Sequence, residues 1–248
     1  MRKGLDKMIE IVNVSKSYNG SSYAVKDLSL TVPSGEIFGF LGPNGAGKST
    51  TIKMVTGIHA IDKGTISING KDVMKEPMEA KKTFGYVPDS PDMFLRLKGI
   101  EYLNFMADMY EVPNAIRQEK IQFLAERFDL YNALSDQIQS YSHGMRQKII
   151  IIGVLLHDPD VWILDEPMTG LDPKSAFILK QMMREHADKG KTVFFSTHVL
   201  EVAEKLCDRV AIINKGNLQF QGNLNEMRDH FKSNESLEKM FLEMTGNE

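Results

Sequence analysis

The sequence predicts an α/β fold, because segments typical of strands alternate with segments typical of helices along most of the chain. Three of the strand-like segments, 161–165, 192–196 and 209–213, are almost continuously apolar. Runs of this kind are typical of parallel strands covered by helices on both faces of a sheet. The strand-like segments are, in order, 8–14, 36–41, 65–69, 83–88, 161–165, 192–196 and 209–213.

The middle of the chain has a different pattern, in which no segment from about 95 to 157 is typical of a strand. Apolar residues recur there at helical spacing instead. We therefore expect an α/β core, formed by residues 8–90 and 158–222, that is interrupted by a helical subdomain at about 91–157.

After residue 222 the chain becomes polar and helix-like, and residues 223–248 are expected to form a C-terminal helical tail. The tail contains four apolar residues that could form one stripe: Leu237, Met240, Phe241 and Met244. A dimer contact and a regulatory role are both consistent with such a stripe, and the sequence leaves the choice open.

The composition excludes several classes of protein. The 248 residues include 30 Lys and Arg against 33 Asp and Glu, a net charge of −3, so no positive excess favours nucleic acid as a partner. The longest wholly apolar run, residues 149–156, is far shorter than the roughly 20 residues that span a membrane. Residues 1–8 lack the apolar region of a signal peptide, and the single cysteine, Cys207, cannot form an internal disulfide. A soluble, intracellular chain is expected.

A phosphate-binding loop is predicted at residues 42–49, where Gly-Pro-Asn-Gly-Ala-Gly-Lys-Ser fits the pattern G-x-x-x-x-G-K-[ST]. The loop follows the strand at 36–41 and precedes a helix, which is the context that this motif requires. Backbone N–H groups of small residues and a helix N-terminus can surround a phosphate chain. Lys48 can reach the β- and γ-phosphates, and Ser49 can bind magnesium.

An acidic pair, Asp165 and Glu166, ends the strand at 161–165, where an open α/β sheet has its binding crevice. Asp165 would hold magnesium, and Glu166 would polarise the attacking water. A solvated acidic turn is the alternative, which the upstream phosphate loop disfavours. A GTPase is disfavoured too, because the nearest match to the guanine-reading pattern N-K-x-D, residues 214–217, ends in Asn217 and has the position of a hairpin turn.

Four further motifs complete an ordered pattern. They are Asp89 after the strand at 83–88, Tyr141-Ser-His-Gly-Met145 before a helix, Thr169-Gly-Leu-Asp-Pro173 after the acidic pair, and Ser196-Thr-His198 after the strand at 192–196. In order and spacing the chain resembles the nucleotide-binding subunit of an ABC transporter from residue 8 to about 222. The resemblance implies a P-loop NTPase, RecA-like core with an N-terminal antiparallel β subdomain and an inserted α-helical subdomain.

The resemblance also implies how ATP and Mg²⁺ would bind. Tyr18 would stack on the adenine ring; the alternative, which the family pattern disfavours, is an ordinary surface aromatic residue. The phosphates would be bound by consecutive residues of the loop: Gly42, Pro43, Asn44, Gly45, Ala46, Gly47, Lys48, Ser49 and Thr50. Mg²⁺ would be held by Ser49, Asp165 and Asp89.

Catalysis would depend on Lys48, Glu166 and His198. Glu166 would be the general base, and His198 would contact the γ-phosphate and align the attacking water with Glu166. His198 could instead be a helix-start residue, since Ser196 and Thr197 are natural helix caps. Catalysis is the interpretation that the other motifs favour.

The family signature would act in trans, on ATP bound by a second nucleotide-binding subunit. Its residues here are Ser142, His143, Gly144 and Met145. Asp172 would carry signals across the dimer interface, and it is also a suitable N-cap for the helix that follows Pro173.

Several residues depart from the usual family pattern. The signature is usually L-S-G-G-Q, so His143 replaces a glycine and Met145 replaces a glutamine. Asp89 stands where the family usually has glutamine, and a shorter, charged side chain makes coupling at that position less certain. These variants resemble the bacterial exporter branch more than the importer branch.

The resemblance implies transmembrane permease subunits as partners and a place at the cytoplasmic face of the cell membrane. The coupling groove would lie between core and helical subdomain, where Met93, Phe94 and Leu95 either receive a helix from the membrane chain or pack internally. The leading hypothesis is an ATPase that drives transport, with export favoured. The alternative is a soluble ABC-type ATPase that does mechanical work on DNA or ribosomes; a single ATPase unit with a short insertion disfavours it.

Overall fold

The computed structural model describes residues 7–20, 22–231 and 237–246. Its strands, in chain order, are β1 (Lys7–Ser17), β2 (Tyr23–Pro33), β3 (Ile37–Leu41), β4 (Lys63–Ile68), β5 (Lys71–Asp72), β6 (Phe84–Val87), β7 (Val161–Leu164), β8 (Thr192–Thr197), β9 (Arg209–Asn214) and β10 (Asn217–Gly222). The predictions made for residues 1–6 and for the tail at 232–236 and 247–248 fall outside the described residues.

The first sheet is antiparallel, with the spatial order β2-β1-β4-β5. Ile9, Ile11 and Val14 of β1 are buried in the same cluster as Phe38 and Phe40 of β3, so this sheet packs on the larger one. The sequence analysis did not recognise β2 as a strand. Two adjacent exposed charges at 26–27 interrupt its apolar pattern, and its pairing with β1 shifts register at that point.

The second sheet has the order β10-β9-β3-β8-β7-β6. Strands β9, β3, β8, β7 and β6 are parallel, and β10 joins β9 through an antiparallel hairpin. Every residue of β7 and β8 and the four central residues of β9 are buried, as their apolar runs predict, and every residue of β3 is buried too. Lys215 and Gly216 have positive φ angles of 47° and 77°, so residues 214–217 form a hairpin turn and not a guanine site.

Nine α-helices surround the sheets within the described ranges. They are α1 (Lys48–Val55), α2 (Pro77–Thr83), α3 (Gly99–Met109), α4 (Asn114–Arg127), α5 (His143–Leu155), α6 (Pro173–Asp188), α7 (Leu200–Leu206), α8 (Leu224–Phe231) and α9 (Leu237–Thr245). Helices α3, α4 and α5 lie between β6 and β7, so the predicted architecture of an α/β core with an antiparallel β part and a helical insertion is confirmed. No helix among them is long and apolar enough to cross a membrane.

The apolar stripe of the tail packs against its own chain. Leu237, Met240 and Phe241 of α9 are buried in one cluster with residues of α7 and β9, and Met244 packs beside them. The side-chain amide of Asn214 also donates a hydrogen bond to the carbonyl oxygen of Thr245 at the end of α9, at 3.0 Å. The described part of the tail therefore stabilises the edge of the large sheet.

The packing of α9 predicts a stability difference between two neighbouring residues. Phe241→Ala removes a buried ring and is expected to lower the free energy of unfolding by about 3 kcal/mol. Leu242→Ala, on the exposed face of the same helix, is expected to change it by less than about 0.5 kcal/mol. Urea unfolding followed by circular dichroism measures both values. Equal values for the two variants would contradict this packing.

Candidate active site

Three neighbouring parallel strands bring the predicted site residues to one edge of the large sheet. Strand β3 leads into the loop that begins at Gly42, β7 leads into Asp165 and Glu166, and β8 leads into His198. The strands are adjacent in the order β3-β8-β7 and run in the same direction, so their carboxyl ends meet. Open α/β sheets bind ligands at this edge.

The loop at 42–47 has space only for glycine at two positions. Gly47 has a φ angle of 109°, and a Cβ atom there would lie 2.7 Å from the carbonyl oxygen of Ala24. A Cβ atom on Gly42 would lie 2.5 Å from the carbonyl oxygen of Ile213. Helix α1 begins immediately afterwards at Lys48, so its first N–H groups, which lack helical partners, adjoin the loop. This is the construction of a phosphate-binding loop.

Lys48 connects the loop to the acidic pair. Its buried Nζ donates hydrogen bonds to the carbonyl oxygens of Gly42, at 2.8 Å, and Pro43, at 3.3 Å. The same atom lies 3.4 Å from Oε1 of Glu166. The loop, the lysine and the predicted general base therefore form one connected cluster.

Asp165 is completely buried, and only one of its two carboxylate oxygens has a hydrogen-bond partner among the described residues. Oδ1 accepts a hydrogen bond from Oγ of Ser196 at 2.6 Å, whereas Oδ2 is buried with no hydrogen-bond partner among the described residues. Burial raises the pKa of Asp165, an effect that the nearby hydroxyls of Ser196 and Ser49 oppose and the charge of Asp89 reinforces.

These residues fit a magnesium ion. Magnesium prefers oxygen ligands and is commonly held by one or two carboxylates together with the phosphates of a nucleotide. The unsatisfied Oδ2 of Asp165 offers such a ligand beside the Ser49 hydroxyl, and a cation there would offset the cost of burying a carboxylate.

Glu166 and His198 are in direct contact. Nδ1 of His198 lies 3.0 Å from Oε2 of Glu166, so this carboxylate lies between the imidazole and Lys48. The backbone of Glu166 has a φ angle of 47°, a left-handed conformation that costs a non-glycine residue about 1 kcal/mol. Strain of this kind is often found at functional sites.

A cleft of about 340 Å³ brings together nine of the predicted residues. It is lined by Ala24, Asn44, Gly45, Gly47, Lys48, Ser49, Thr50, Asp89, Glu166, Thr169 and His198. Within the loop and the acidic pair, the residues that do not line the cleft are Gly42, Pro43, Ala46 and Asp165. Tyr18 is exposed beyond the Thr50 side of the cleft, with its hydroxyl 3.4 Å from Oγ1 of Thr50, and its stacking on adenine stays a prediction.

The signature residues lie outside this cleft. Ser142 is the N-cap of α5, since its Oγ accepts a hydrogen bond from the backbone N–H of Met145 at 3.3 Å. The ring of His143 and the backbone of Gly144 pack closely against Gly170, where a Cβ atom on either glycine would clash. The four residues therefore mark a separate surface at the start of α5.

Asp172 has the capping role that the sequence offered as one possibility. Its carboxylate accepts hydrogen bonds from the backbone N–H and the hydroxyl of Ser175, at 2.9 and 2.7 Å, and pairs with Nζ of Lys148 at 2.8 Å. The hydrogen bond with Lys148 and those with Ser175 lower the pKa of Asp172. The ion pair of Lys148 with Asp172 connects α5, the helix that begins at the signature, to the start of α6.

Sequence reasoning missed several residues of the site. Ser196 and Thr169 were noted as members of motifs, but neither was given a role in the site beyond helix capping by Ser196, and Ala24 and Lys148 were not considered. The register of β7 and β8, in which Leu164 pairs with Phe195, places Ser196 beside Asp165. The available signal was a polar residue at the end of a buried strand. Its role in the site could be inferred only from the order of the strands in the sheet.

The contacts of Lys48 predict a specific loss of nucleotide binding. Lys48→Ala is expected to weaken ATP binding at least tenfold, because a buried cation that can reach the phosphates is removed. Lys53→Ala, a lysine in the same helix that does not line the cleft, is expected to leave the affinity unchanged. Titration with a fluorescent ATP analogue measures both. A similar loss in the two variants would mean that the helix, and not Lys48, is responsible.

Comparison with known proteins agrees with this geometry. The family model described as ABC transporter matches residues 25–169. The uncharacterized ABC transporter ATP-binding protein YhcH of Bacillus subtilis (strain 168) is 39% identical over 212 residues, which cover 85% of this chain and 68% of that protein. The linearmycin resistance ATP-binding protein LnrL of the same organism is 36% identical over 211 residues, which again cover 85% of this chain and 68% of that protein.

A solved structure of the ATP binding subunit of an ABC transporter has 33% identity and a TM-score of 0.91, covering 96% of this chain and 99% of that one. The chain therefore belongs to the ABC transporter family as an ATP-binding subunit, and it is an ATPase.

Proposed function

We propose that this subunit hydrolyses ATP with Glu166 as general base and Mg²⁺ at Asp165, in a site completed by a second nucleotide-binding subunit, and that hydrolysis drives export through separate permease subunits. The observation that carries the proposal is the position of the Glu166 carboxylate. It lies 3.4 Å from Lys48 and 3.0 Å from His198, and Glu166 directly follows Asp165, whose Oδ2 is unsatisfied.

The proposed reaction is attack of water on the γ-phosphorus of ATP. Glu166 accepts the proton of the water as the new P–O bond forms, and the bond to the bridging oxygen of ADP breaks. His198 holds the carboxylate and the water in register, and Lys48 moves from the loop carbonyls to the phosphates. Ser49 and Asp165, with Asp89 nearby, would hold Mg²⁺, which would supply positive charge to offset the charge of the β- and γ-phosphates.

The position of the signature, outside the cleft of the same chain, supports a dimer. Ser142 and Gly144 begin α5 away from the phosphate loop, so within one chain they do not reach the phosphates that this loop would bind. In a head-to-tail pair, the N-terminus of α5 of one subunit would face the γ-phosphate on the other, where N–H groups and the helix dipole attract an anion. His143 and Met145 would adjoin that phosphate.

An apolar groove supports the docking of a membrane subunit at the predicted place. A cleft of about 580 Å³ separates α2, in the core, from α3, in the helical insertion. Met78, Phe105 and Met109 line it and are exposed, and Lys81 and Lys82 give its core side positive charge. Large exposed apolar residues collected in one groove are typical of a helix-binding surface.

The loop before α3 contributes to the same surface in part. Phe94 is partly exposed and contacts Phe105 and the buried Tyr102, with ring centroids 5.6 and 5.2 Å apart. Met93 is exposed, whereas Leu95 packs against the helical core. Of the two interpretations of residues 93–95, docking therefore suits Met93 and Phe94, and internal packing suits Leu95. Docking here would hold the chain at the cytoplasmic face of the membrane.

Export is favoured over import by the signature variants and by the relative LnrL, which is described as a linearmycin resistance protein. Outward transport of a toxic compound is a direct way to resist it. The soluble alternative, mechanical work on DNA or ribosomes, has no specific observation in its favour, because the chain carries a net charge of −3.

Glu166→Gln tests the proposed base. Replacing the carboxylate by an amide is expected to lower ATP turnover by about 10²–10⁴-fold while ATP still binds. The ATP-bound dimer is expected to persist in size-exclusion chromatography, since the nucleotide that joins the subunits is no longer hydrolysed. Glu201→Gln, in an exposed pair with Lys205, is the control and should behave as wild type. Unchanged turnover in Glu166→Gln would reject Glu166 as the base.

Met109→Asp tests the groove. Met109 is 65% exposed, so the substitution is expected to leave the fold and the basal ATPase rate intact. It is expected to abolish co-purification with the membrane protein encoded in the neighbouring reading frame, when the two are co-expressed. Phe123→Asp, at an exposed apolar residue on α4, is the matched control and should co-purify normally. Intact co-purification of Met109→Asp would exclude this groove.

A further inference from the structure

Ser196 occupies an unusual position for a polar side chain. It is the second-last residue of β8, a strand of six buried residues, and it is 0% exposed. The parallel pairing of Leu164 with Phe195 places it next to the residue that follows β7, which is Asp165. A buried hydroxyl in such an environment requires hydrogen-bond partners.

The hydroxyl of Ser196 bonds to both members of the acidic pair. Its Oγ donates a hydrogen bond to Oδ1 of Asp165 at 2.6 Å and accepts one from the backbone N–H of Glu166 at 3.0 Å. A serine hydroxyl has a single hydrogen to donate, so the bond to Asp165 fixes its direction and leaves its lone pairs for Glu166. One side chain therefore orients two consecutive residues.

Each of these bonds has a consequence for a group that the reaction would use. The bond to Oδ1 of Asp165 fixes the plane of the carboxylate and leaves Oδ2 as its unsatisfied oxygen. The bond to the N–H of Glu166 holds the backbone at the residue whose φ angle is 47°, where the chain turns to direct the carboxylate between Lys48 and His198.

We propose that Ser196 is a positioning residue that couples the metal-binding oxygen of Asp165 to the orientation of Glu166 through its single hydroxyl. This inference rests on the roles proposed above for Asp165 and Glu166. It assigns to Ser196 a function in metal affinity and in turnover that is distinct from filling space in β8.

Four variants separate the hydroxyl from the shape of the side chain. Ser196→Ala removes the hydroxyl. Ser196→Thr and Ser196→Val add the same volume, but only threonine keeps the hydroxyl. Thr192→Val is the control on the same strand, because Thr192 is equally buried and its hydroxyl donates only to the carbonyl oxygen of Pro33, at 3.2 Å, far from the site.

The primary readout does not depend on hydrolysis. Mn²⁺ binding to the full chain, saturated with a non-hydrolysable imido analogue of ATP, is measured by electron paramagnetic resonance. We expect about tenfold weaker Mn²⁺ binding in Ser196→Ala and Ser196→Val, since a hydrogen bond to a charged group is lost. The Mn²⁺ affinity of Ser196→Thr is expected to remain within about threefold of the wild-type value. The Mn²⁺ affinity of Thr192→Val is expected to equal the wild-type value. Affinity for the analogue in EDTA is expected to be unchanged in all four.

Turnover at saturating metal provides the second readout, because it reports Glu166 after the metal site is filled. Ser196→Ala and Ser196→Val are expected to retain about a tenth of the wild-type rate or less, and Ser196→Thr most of it. Equal Mn²⁺ affinity and equal turnover in the threonine and valine variants would overturn the proposal, since only shape would then matter.

Asp165→Asn distinguishes failure of this inference from failure of the proposed function. If Asp165→Asn binds Mn²⁺ as wild type does, the metal assignment is wrong and the role of Ser196 is rejected with it. If Asp165→Asn loses Mn²⁺ binding while Ser196→Ala keeps it together with normal turnover, only the role of Ser196 is rejected.

Discussion

The active site depends on the parallel alignment of β3, β8 and β7. This alignment brings the phosphate loop, His198 and the acidic pair to one edge of the sheet, although the loop precedes the other two by more than a hundred residues in the chain. It also buries a carboxylate, that of Asp165, beneath the cleft. A buried charge is costly unless it is compensated. The hydroxyl of Ser196 compensates Oδ1 of Asp165, and the proposed cation would compensate Oδ2.

The phosphate loop and the signature occupy separate places on the chain. The phosphate loop and Glu166 line one cleft, and the signature begins α5 beside Gly170, outside it. The two are linked within one subunit through Lys148 and Asp172, which join α5 to α6 at 2.8 Å. A second subunit that bound at the signature would therefore contact the start of α5, which the ion pair of Lys148 with Asp172 connects to the loop after Glu166. This arrangement suits a protein in which nucleotide binding is coupled to the closing of two subunits on each other.

Much of the fold and of the site could be predicted from the sequence because the signals are local. The apolar runs of β7 and β8 and the glycine pattern of the phosphate loop each specify their own structure within a few residues. The strand at 23–33 was missed because a register shift at two charged residues breaks its alternation. The apolar stripe of the tail was found, but whether it would cover its own chain or another depended on α7 and β9, which are distant in sequence.

The residues that sequence reasoning missed share one property, which is that their role comes from a neighbour in space. Ser196 matters because β8 lies beside β7, and Lys148 matters because α5 packs beside the start of α6. The groove between α2 and α3 likewise joins segments on either side of β6, and only Phe94 and its neighbours gave a local indication of it. Pairings of this kind are decided by strand order and helix packing, which periodicity does not encode.

The most direct test of this account is a crystal structure of the Glu166→Gln variant with ATP and Mg²⁺. The account predicts two chains around two nucleotides, with Mg²⁺ held by Ser49 and Asp165, directly or through water, and Lys48 on the phosphates. It also predicts Ser142 and Gly144 of the second copy at the γ-phosphate. A metal ion bound away from Asp165, or a γ-phosphate that no signature residue approaches, would contradict it.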